Sequence, residues 1–309
     1  MALLFVPVLL LLLGLYLFIC AYIYRYLFVP PRPLLTDEFT FTPEDFQADY
    51  EDVELTTADG VTFGAWFFRQ PGAPQTIVIS GGHKGQRQSV LPIAIALWRK
   101  GFNVLVYTYR GMPGSDRSAI TMGIREVNEL QAMVAFARRR IRDAKIGLLG
   151  YSMGAVVSLL GAAGDPSVQA LVLDSPFSDL RQLVNQSIRR YWLPGTPFTA
   201  AVALWFRLRV GCSISDASPI GVLSGLEPRP LFFIHGGDDA VTPVQHSRRL
   251  YDAYRGPREI WVVQGAPHTG AYFADRGLYV ERVAGFFGRH LGLNRSGQLR
   301  LLEDEEEVS

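Results

Sequence analysis

The chain of 309 residues is poor in cysteine and nearly balanced in charge. Its only cysteines are Cys20 and Cys212, too few for a disulfide framework. Cysteine and histidine residues do not cluster at the spacing of zinc ligands, so we expect no metal site. The 30 basic and 29 acidic residues almost cancel, and the basic ones form no stripe of the kind found in nucleic-acid-binding proteins. Nucleic acid is therefore not an expected partner.

The first 24 residues contain no charged side chain. As a helix, Leu3–Tyr24 is long enough to span a bilayer core of roughly 30 Å. A cleaved signal peptide would have basic residues before the apolar run and small residues at a cleavage site, and the sequence has neither. The run fades into Tyr22, Tyr24 and Tyr26, which suit a membrane interface. We therefore predict an uncleaved single-pass anchor over residues 1–26, with a signal peptide as the alternative.

Arg25 and Arg32 follow the apolar run. By the positive-inside rule they favour a cytoplasmic position for the soluble domain. Three prolines stiffen the next stretch, and residues 27–50 are predicted to be a connector. At the other end, residues 293–309 finish in the acidic sequence LEDEEEVS and are predicted to be disordered.

Residues 51–292 have the pattern of a single α/β domain. After a β-hairpin signal at Asp52–Thr57 and Val61–Arg69, short apolar runs alternate with amphipathic ones, as in a mostly parallel sheet with helices on both faces. The predicted strands of the alternating part are Thr76–Ser80, Asn103–Tyr109, Lys145–Leu149, Ala170–Asp174, Leu231–His235 and Glu259–Val263. One aromatic-rich stretch at about 181–222 breaks the alternation, and we predict that it forms a helical cap.

The strongest chemical signal is a G-x-S-x-G motif, Gly150-Tyr151-Ser152-Met153-Gly154. It lies between the predicted strand KIGLL and the alanine-rich helix MGAVVSLLGAA. A sharp strand-to-helix turn leaves no room for side chains at the two glycines and exposes the serine hydroxyl at the carboxyl edge of the sheet. The motif predicts Ser152 as a nucleophile rather than a helix cap. It also places the Met153 N–H, at the helix N-terminus, where it can donate to an oxyanion.

A serine hydroxyl is a weak nucleophile near neutral pH, so it needs a base and a group that orients the base. Two further strands end in suitable residues: LFFIH runs into Asp238 and Asp239, and EIWVV runs into His268. Both positions lie just past the carboxyl ends of strands, where open α/β sheets place their ligands. His268 is the predicted base, oriented by an aspartate.

The segment from about Asp52 to His290 resembles the α/β-hydrolase superfamily. Its HGGDDAVTP is similar to the family's acid loop, His-Gly-x-x-Asp-x-x-Val-Pro, and this match places the acid at Asp239 rather than Asp238. Some members take the acid from the end of the preceding strand, which here is Asp174; a turn role is the other interpretation of that residue. The resemblance implies the family's fold and a Ser-Asp-His triad.

The same resemblance places a second oxyanion donor in the loop after the first parallel strand. There the family usually has His-Gly followed by small residues, whereas this chain has Ser80-Gly81-Gly82-His83. Gly82 is the expected donor. Because Ser80 replaces the family's histidine, the resemblance does not indicate what supports the loop, and His83 is expected to position the loop or to face solvent.

The resemblance implies a serine hydrolase that cleaves an acyl ester or thioester through an acyl-enzyme, without a cofactor. The chain resembles membrane-anchored depalmitoylases and lysophospholipid lipases in three features. These are the anchor, the segment Ser175-Pro176-Phe177 and the segment Ser218-Pro219-Ile220. The expected partners are thus a small-molecule or lipid acyl substrate and the membrane, and Trp205 and Phe206 of the cap are expected to contact the acyl chain. The alternatives are an aminopeptidase-like serine peptidase and a non-catalytic membrane-bound scaffold on the same fold.

Overall fold

The computed structural model of the protein describes residues 2–30, 41–223, 226 and 228–293. The acidic tail predicted over residues 293–309 lies outside the described residues apart from Leu293, and so does Arg32. The predicted connector is described in part, with a short 3-10 helix at Pro43–Phe46.

One sheet of eight strands forms the centre of the molecule. Its strands are β1 (Glu51–Thr56), β2 (Thr62–Phe68), β3 (Gln75–Ser80), β4 (Asn103–Tyr107), β5 (Lys145–Tyr151), β6 (Val168–Asp174), β7 (Leu231–Gly236) and β8 (Arg258–Val263). Their order across the sheet is β1-β2-β4-β3-β5-β6-β7-β8. β2 is antiparallel to β1 and to β4, and every other neighbouring pair is parallel. The predicted, mostly parallel sheet is confirmed.

Burial explains the composition of the strands. β3 and β7 are buried along their whole length, and their sequences are therefore almost continuously apolar. β1 lies at the edge of the sheet and alternates between half-buried and exposed residues. The parallel strands all point their carboxyl ends to the same edge, so the loops that follow them meet there.

Helices cover both faces of this sheet. They are α1 (Ala2–Phe28), α2 (Leu91–Arg99), α3 (Val127–Arg140), α4 (Met153–Ala163), α5 (Leu180–Arg190), α6 (Gly195–Val210), α7 (Pro219–Val222), α8 (Gln245–Ala253), α9 (Ala271–Ala274) and α10 (Arg276–Leu291). Ile95 of α2 and Phe287 of α10 belong to the core on one face. Met133 of α3 and Val157 of α4 belong to the core on the other.

The N-terminal helix α1 is the one helix of the described residues that is long and apolar enough to cross a membrane. Its apolar span, Val6–Phe28, has a mean hydropathy of 2.6. The helix continues two residues past the predicted end of the anchor because Phe28 is buried in the core, where its ring packs against Phe206 of α6. Cys20 is buried as well. The first half of α1 is exposed, whereas its second half is part of the folded domain.

The predicted helical cap is confirmed as helical. α5 and α6 form an antiparallel pair after β6, followed by a 3-10 helix at Ile214–Asp216 and by α7. Asp179 caps α5 by accepting a hydrogen bond from the Gln182 N–H at 2.8 Å. α6 ends at Gly211, whose φ of 78° suits a glycine at a helix C-terminus.

Candidate active site

Ser152 lies in the turn between β5 and α4, with a φ of 51°. This left-handed conformation is uncommon for a residue other than glycine and marks a strained turn. The turn is possible because Gly150 and Gly154 lack side chains: a β-carbon on Gly150 would overlap Ala155, and one on Gly154 would overlap the carbonyl oxygens of Ser80 and Gly81. The serine hydroxyl is thereby presented at the carboxyl edge of the sheet.

A chain of short hydrogen bonds joins the three predicted residues. His268 Nε2 lies 2.9 Å from Ser152 Oγ, and His268 Nδ1 lies 2.7 Å from Asp239 Oδ2. The Asp239 side chain is buried, while the His268 side chain is 20% exposed. A carboxylate only accepts, so Nδ1 carries the proton and Nε2 of the neutral ring is free to accept from the serine.

Asp239 is held as a carboxylate by its neighbours. Its Oδ1 accepts hydrogen bonds from the Val241 and Thr242 N–H groups, each at 2.8 Å. Burial alone would raise its pKa, but hydrogen bonds from His235 and His268 outweigh that effect and hold the pKa well below its usual range. Asp238 is exposed. Of these two neighbouring aspartates, Asp239 is the one that bonds to the His268 imidazole.

Asp174, the alternative acid, has a different environment. Its side chain is fully buried, and it accepts hydrogen bonds from the Ser175 hydroxyl at 2.8 Å and the Tyr279 hydroxyl at 2.9 Å. Burial raises its pKa to about 6. The Ser175 hydroxyl also accepts from the Thr269 N–H at 3.2 Å. Asp174 thus supports the chain beside His268, whereas Asp239 bonds directly to the imidazole.

The loop after β3 approaches the serine closely. A β-carbon on Gly82 would lie 3.8 Å from that of Ser152, so this glycine lies beside the serine. The loop closes with a hydrogen bond from the Gly85 N–H to the Gly82 carbonyl at 2.9 Å. Ser80 stands where the family has histidine, and its buried hydroxyl lies 2.8 Å from the Tyr107 hydroxyl. A side-chain bond to β4 therefore supports this loop.

The same loop is attached to the end of α1. His83 Nε2 donates to the Leu27 carbonyl at 2.8 Å, and the Lys84 ammonium donates to the Tyr26 carbonyl at 2.6 Å. Burial lowers the pKa of His83 to about 4, so the ring is neutral near pH 7. Of the two roles expected for His83, positioning the loop is the one the contacts support. The sequence carries no signal for this link, because backbone carbonyls accept from any donor.

A cavity of about 250 Å³ adjoins the serine. It is lined by Gly82 and Thr269 beside the predicted catalytic residues and by apolar side chains such as Ile93, Tyr272 and Phe273. The expectation that Trp205 and Phe206 contact the substrate is wrong for this cavity, since neither lines it. Trp205 packs edge-on against Tyr24, and Phe206 packs against Phe28, so both stabilise the attachment of α1.

Two further buried histidines, His235 in β7 and His246 in α8, have architectural roles. His235 Nε2 donates to the Thr242 carbonyl at 2.7 Å, and its Nδ1 bonds to the Ser247 hydroxyl. His246 bonds through Nδ1 to Ser178 and through Nε2 to Gln186. Each ring joins two segments of chain, and burial lowers the pKa of His246 to about 4.

Comparison with known proteins identifies the same architecture. A family model described as serine aminopeptidase, S33, matches residues 72–212. The uncharacterized protein YqkD of Bacillus subtilis (strain 168) is 28% identical over 78% of this chain and 82% of its own length. YfhR of Escherichia coli (strain K12) is 26% identical over 81% of this chain and 84% of its own. The Pyrococcus furiosus esterase Pf2001 superposes with a TM-score of 0.70 at 26% identity, covering 85% of this chain and 98% of the esterase.

The eight-stranded sheet, the position of the G-x-S-x-G turn and these similarities agree. The chain belongs to the α/β-hydrolase superfamily. At the level that fold and relatives define, it is a hydrolase.

The packing of Gly154 generates the first prediction. Gly154→Ala places a methyl group against the carbonyls of Ser80 and Gly81, and overpacking of this kind costs about 1–3 kcal/mol. We expect a lower free energy of unfolding together with slower hydrolysis of p-nitrophenyl esters, because the loop carrying Gly82 must shift. Gly164→Ala at the end of the same helix is the control, since nothing lies within 4 Å of its added carbon. Equal effects of the two substitutions would contradict this account.

The buried Asp174 generates a second prediction. Its folded-state pKa of about 6 exceeds the unfolded value of about 3.9, so its contribution to stability is fully present below about pH 4 and is lost as the pH rises through about 6. The stability of the wild type relative to Asp174→Asn should therefore decline across that window. Chemical unfolding at a series of pH values measures this difference. Stability curves that run parallel between pH 4 and 7 would show that Asp174 is not perturbed.

Proposed function

We propose that the protein is a serine hydrolase that cleaves an acyl ester or thioester through an acyl-enzyme. Ser152 is the nucleophile, His268 the general base and Asp239 the carboxylate that orients it. The observation that carries this proposal is the continuous relay from Asp239 Oδ2 through His268 to Ser152 Oγ, with distances of 2.7 and 2.9 Å. Such distances are within reach for proton transfer without rearrangement.

The reaction divides into two steps. In the first, the Ser152 hydroxyl gives its proton to His268 Nε2 while Oγ attacks the carbonyl carbon, and the imidazolium then protonates the departing alkoxide or thiolate. In the second, a water molecule gives a proton to the same nitrogen and attacks the acyl-enzyme, which releases a carboxylic acid and restores Ser152. Asp239 remains ionised throughout, because its pKa lies well below its usual range.

Charge that develops on the carbonyl oxygen needs donors in both steps. The Met153 N–H, at the N-terminus of α4, and the Gly82 N–H, in the loop beside Ser152, are the proposed donors. The tight contact of Gly154 with Ser80 and Gly81 supports this assignment, since it holds helix and loop together.

The cavity favours an uncharged acyl group over a peptide N-terminus. Its described lining residues carry no carboxylate, which an aminopeptidase would use to bind the substrate's ammonium group. Val90, Ile93 and Phe273 instead offer apolar contacts. A peptidase remains the second candidate because the matching family model is described as a serine aminopeptidase, and a panel of p-nitrophenyl esters beside aminoacyl amides distinguishes the two. A non-catalytic scaffold would turn over neither.

We further propose that α1 is an uncleaved membrane anchor with the catalytic domain on the cytoplasmic side. Cleavage would remove Cys20 and Phe28 from the core and the carbonyl acceptors of His83 and Lys84. These contacts favour retention of the helix over removal of a signal peptide. Arg25, at the end of the helix, supports the orientation through the positive-inside rule.

The triad is tested by substitution. Ser152→Ala should abolish fluorophosphonate labelling and ester turnover with little change in stability, and His268→Ala should be nearly as damaging. Asp239→Asn should lower kcat by about 10⁴-fold, the loss that the wrong imidazole tautomer causes in serine proteases. Asp238→Asn and Asp174→Asn are the matched controls and should lose far less. Full activity of Ser152→Ala would refute the mechanism, and a severe loss in Asp174→Asn alone would reassign the acid.

The anchor is tested in cells that express the full-length chain. We expect the protein to stay in the membrane pellet after carbonate extraction, because the exposed half of α1 is held by the hydrophobic effect rather than by charge. N-terminal sequencing should recover residues from the apolar run. A mature N-terminus beyond residue 24, or release into the supernatant, would identify a signal peptide or a soluble protein instead.

A further inference from the structure

The helical pair formed by α5 and α6, here called the cap hairpin (residues 180–210), carries an unusual charge. It contains five arginines and no aspartate or glutamate; these are Arg181, Arg189, Arg190, Arg207 and Arg209. All five are exposed. The whole chain has a net charge of +1, so the rest of it has a net charge of −4, the difference between +1 and +5. The hairpin therefore has a net charge of +5, whereas acidic residues outnumber basic ones in the rest of the chain.

The hairpin also exposes large apolar side chains. Trp192, in the turn between the two helices, is 97% exposed, and its neighbour Tyr191 is 74% exposed. On α6, Leu204 is 55% and Leu208 73% exposed. A tryptophan fully open to water beside a tyrosine and two arginines is typical of residues at a membrane–water interface.

The hairpin lies along the proposed anchor. The Tyr16 hydroxyl donates to the Pro197 carbonyl at 2.9 Å near the start of α6. Further along both helices, Tyr24 packs against Trp205, with 6.3 Å between their ring centroids. Later residues of α1 thus contact later residues of α6, so the two helices run parallel. The α5–α6 turn lies at the level of Tyr16.

The length of the helix determines how deep this turn lies. The apolar span of α1, Val6–Phe28, has 23 residues, and a hydrocarbon core of about 30 Å needs about 20. The contacts of this span with α6 already begin at Tyr16. A bilayer that covers the span therefore extends past the level of Pro197. That depth takes in the start of α6 and the turn before it.

We propose that the end of the cap hairpin is immersed in the leaflet that it shares with α1 and that its arginines bind anionic lipid headgroups. Trp192 and Tyr191 enter the interface, and Leu204 and Leu208 continue the apolar surface of α1 towards the domain. The flexible side chains of Arg189 and Arg190 reach back to phosphate level, as arginines near membrane interfaces do. This inference rests on the proposed anchoring of α1 but not on the proposed chemistry.

The depth of Trp192 is measurable in the full-length protein in nanodiscs. Phosphatidylcholine brominated on its acyl chains should quench part of the tryptophan emission, because two of the five tryptophans, Trp192 and Trp205, lie on the hairpin. Trp192→Phe should remove about half of the quenched component. Trp98→Phe, on the far side of the sheet in α2, is the control and should remove none of it.

The arginines are tested by adding phosphatidylglycerol to the same nanodiscs. Quenching should increase with the anionic fraction in the wild type, and the increase should disappear in Arg189→Gln/Arg190→Gln. The control Arg138→Gln/Arg139→Gln removes the same charge from the exposed end of α3 and should respond like the wild type.

Several results would overturn the proposal. Trp192 that is quenched by acrylamide in water but not by brominated lipid would place the turn outside the bilayer. Protection of Trp192 that appears only with two copies per nanodisc would make the surface a contact between chains. None of these readouts depends on catalysis, so the inactive Ser152→Ala protein can be used as well. Failure of the hydrolase proposal is therefore distinguishable from failure of the membrane-immersion proposal.

Discussion

The contact between the start of α4 and the loop after β3 is the constraint on which the site depends. Gly154 has no side chain, so its backbone rests directly against the carbonyls of Ser80 and Gly81. The same turn holds Ser152 at a φ of 51°, and the Ser152 N–H donates to the Asp174 carbonyl at 2.8 Å. Backbone contacts therefore fix the positions of Ser152, the loop after β3 and β6 relative to one another. A side chain at position 154 would push α4 and the loop apart.

Much of the site could be predicted because its signals are local. Ser152 is flanked by glycines between an apolar strand and a helix, and Asp239 and His268 each follow a strand that is recognisable by itself. The strand boundaries were less predictable. β4 ends at Tyr107 and not at Tyr109 because its pairing with β2 ends at the Ala65–Tyr107 pair. The β-propensity of a segment carries no information about where its neighbouring strand ends.

Other features depend on contacts between residues far apart in the sequence and left no local pattern. An apolar helix has the same composition whether lipid or another helix covers it, so the packing of Phe28 on Phe206 could not be foreseen. The prediction that Trp205 and Phe206 face the substrate was wrong for the same reason, because an aromatic side chain packs equally well against a ligand or a helix. The bond between Ser80 and Tyr107, which replaces a family histidine, likewise joins two strands.

The attachment of α1 to the catalytic domain also fixes how the domain is oriented. Three groups hold the last turn: His83 and Lys84 donate to the Leu27 and Tyr26 carbonyls, and the Ile120 N–H donates to the Phe28 carbonyl at 3.1 Å. A domain fastened in this way cannot swivel on a flexible tether. With α1 in a bilayer, the height of Ser152 above the lipid and the direction in which its cavity opens are set by the helix itself. The distance of Ser152 from the membrane surface is then fixed by the fold. It does not depend on the length of the chain that follows the helix.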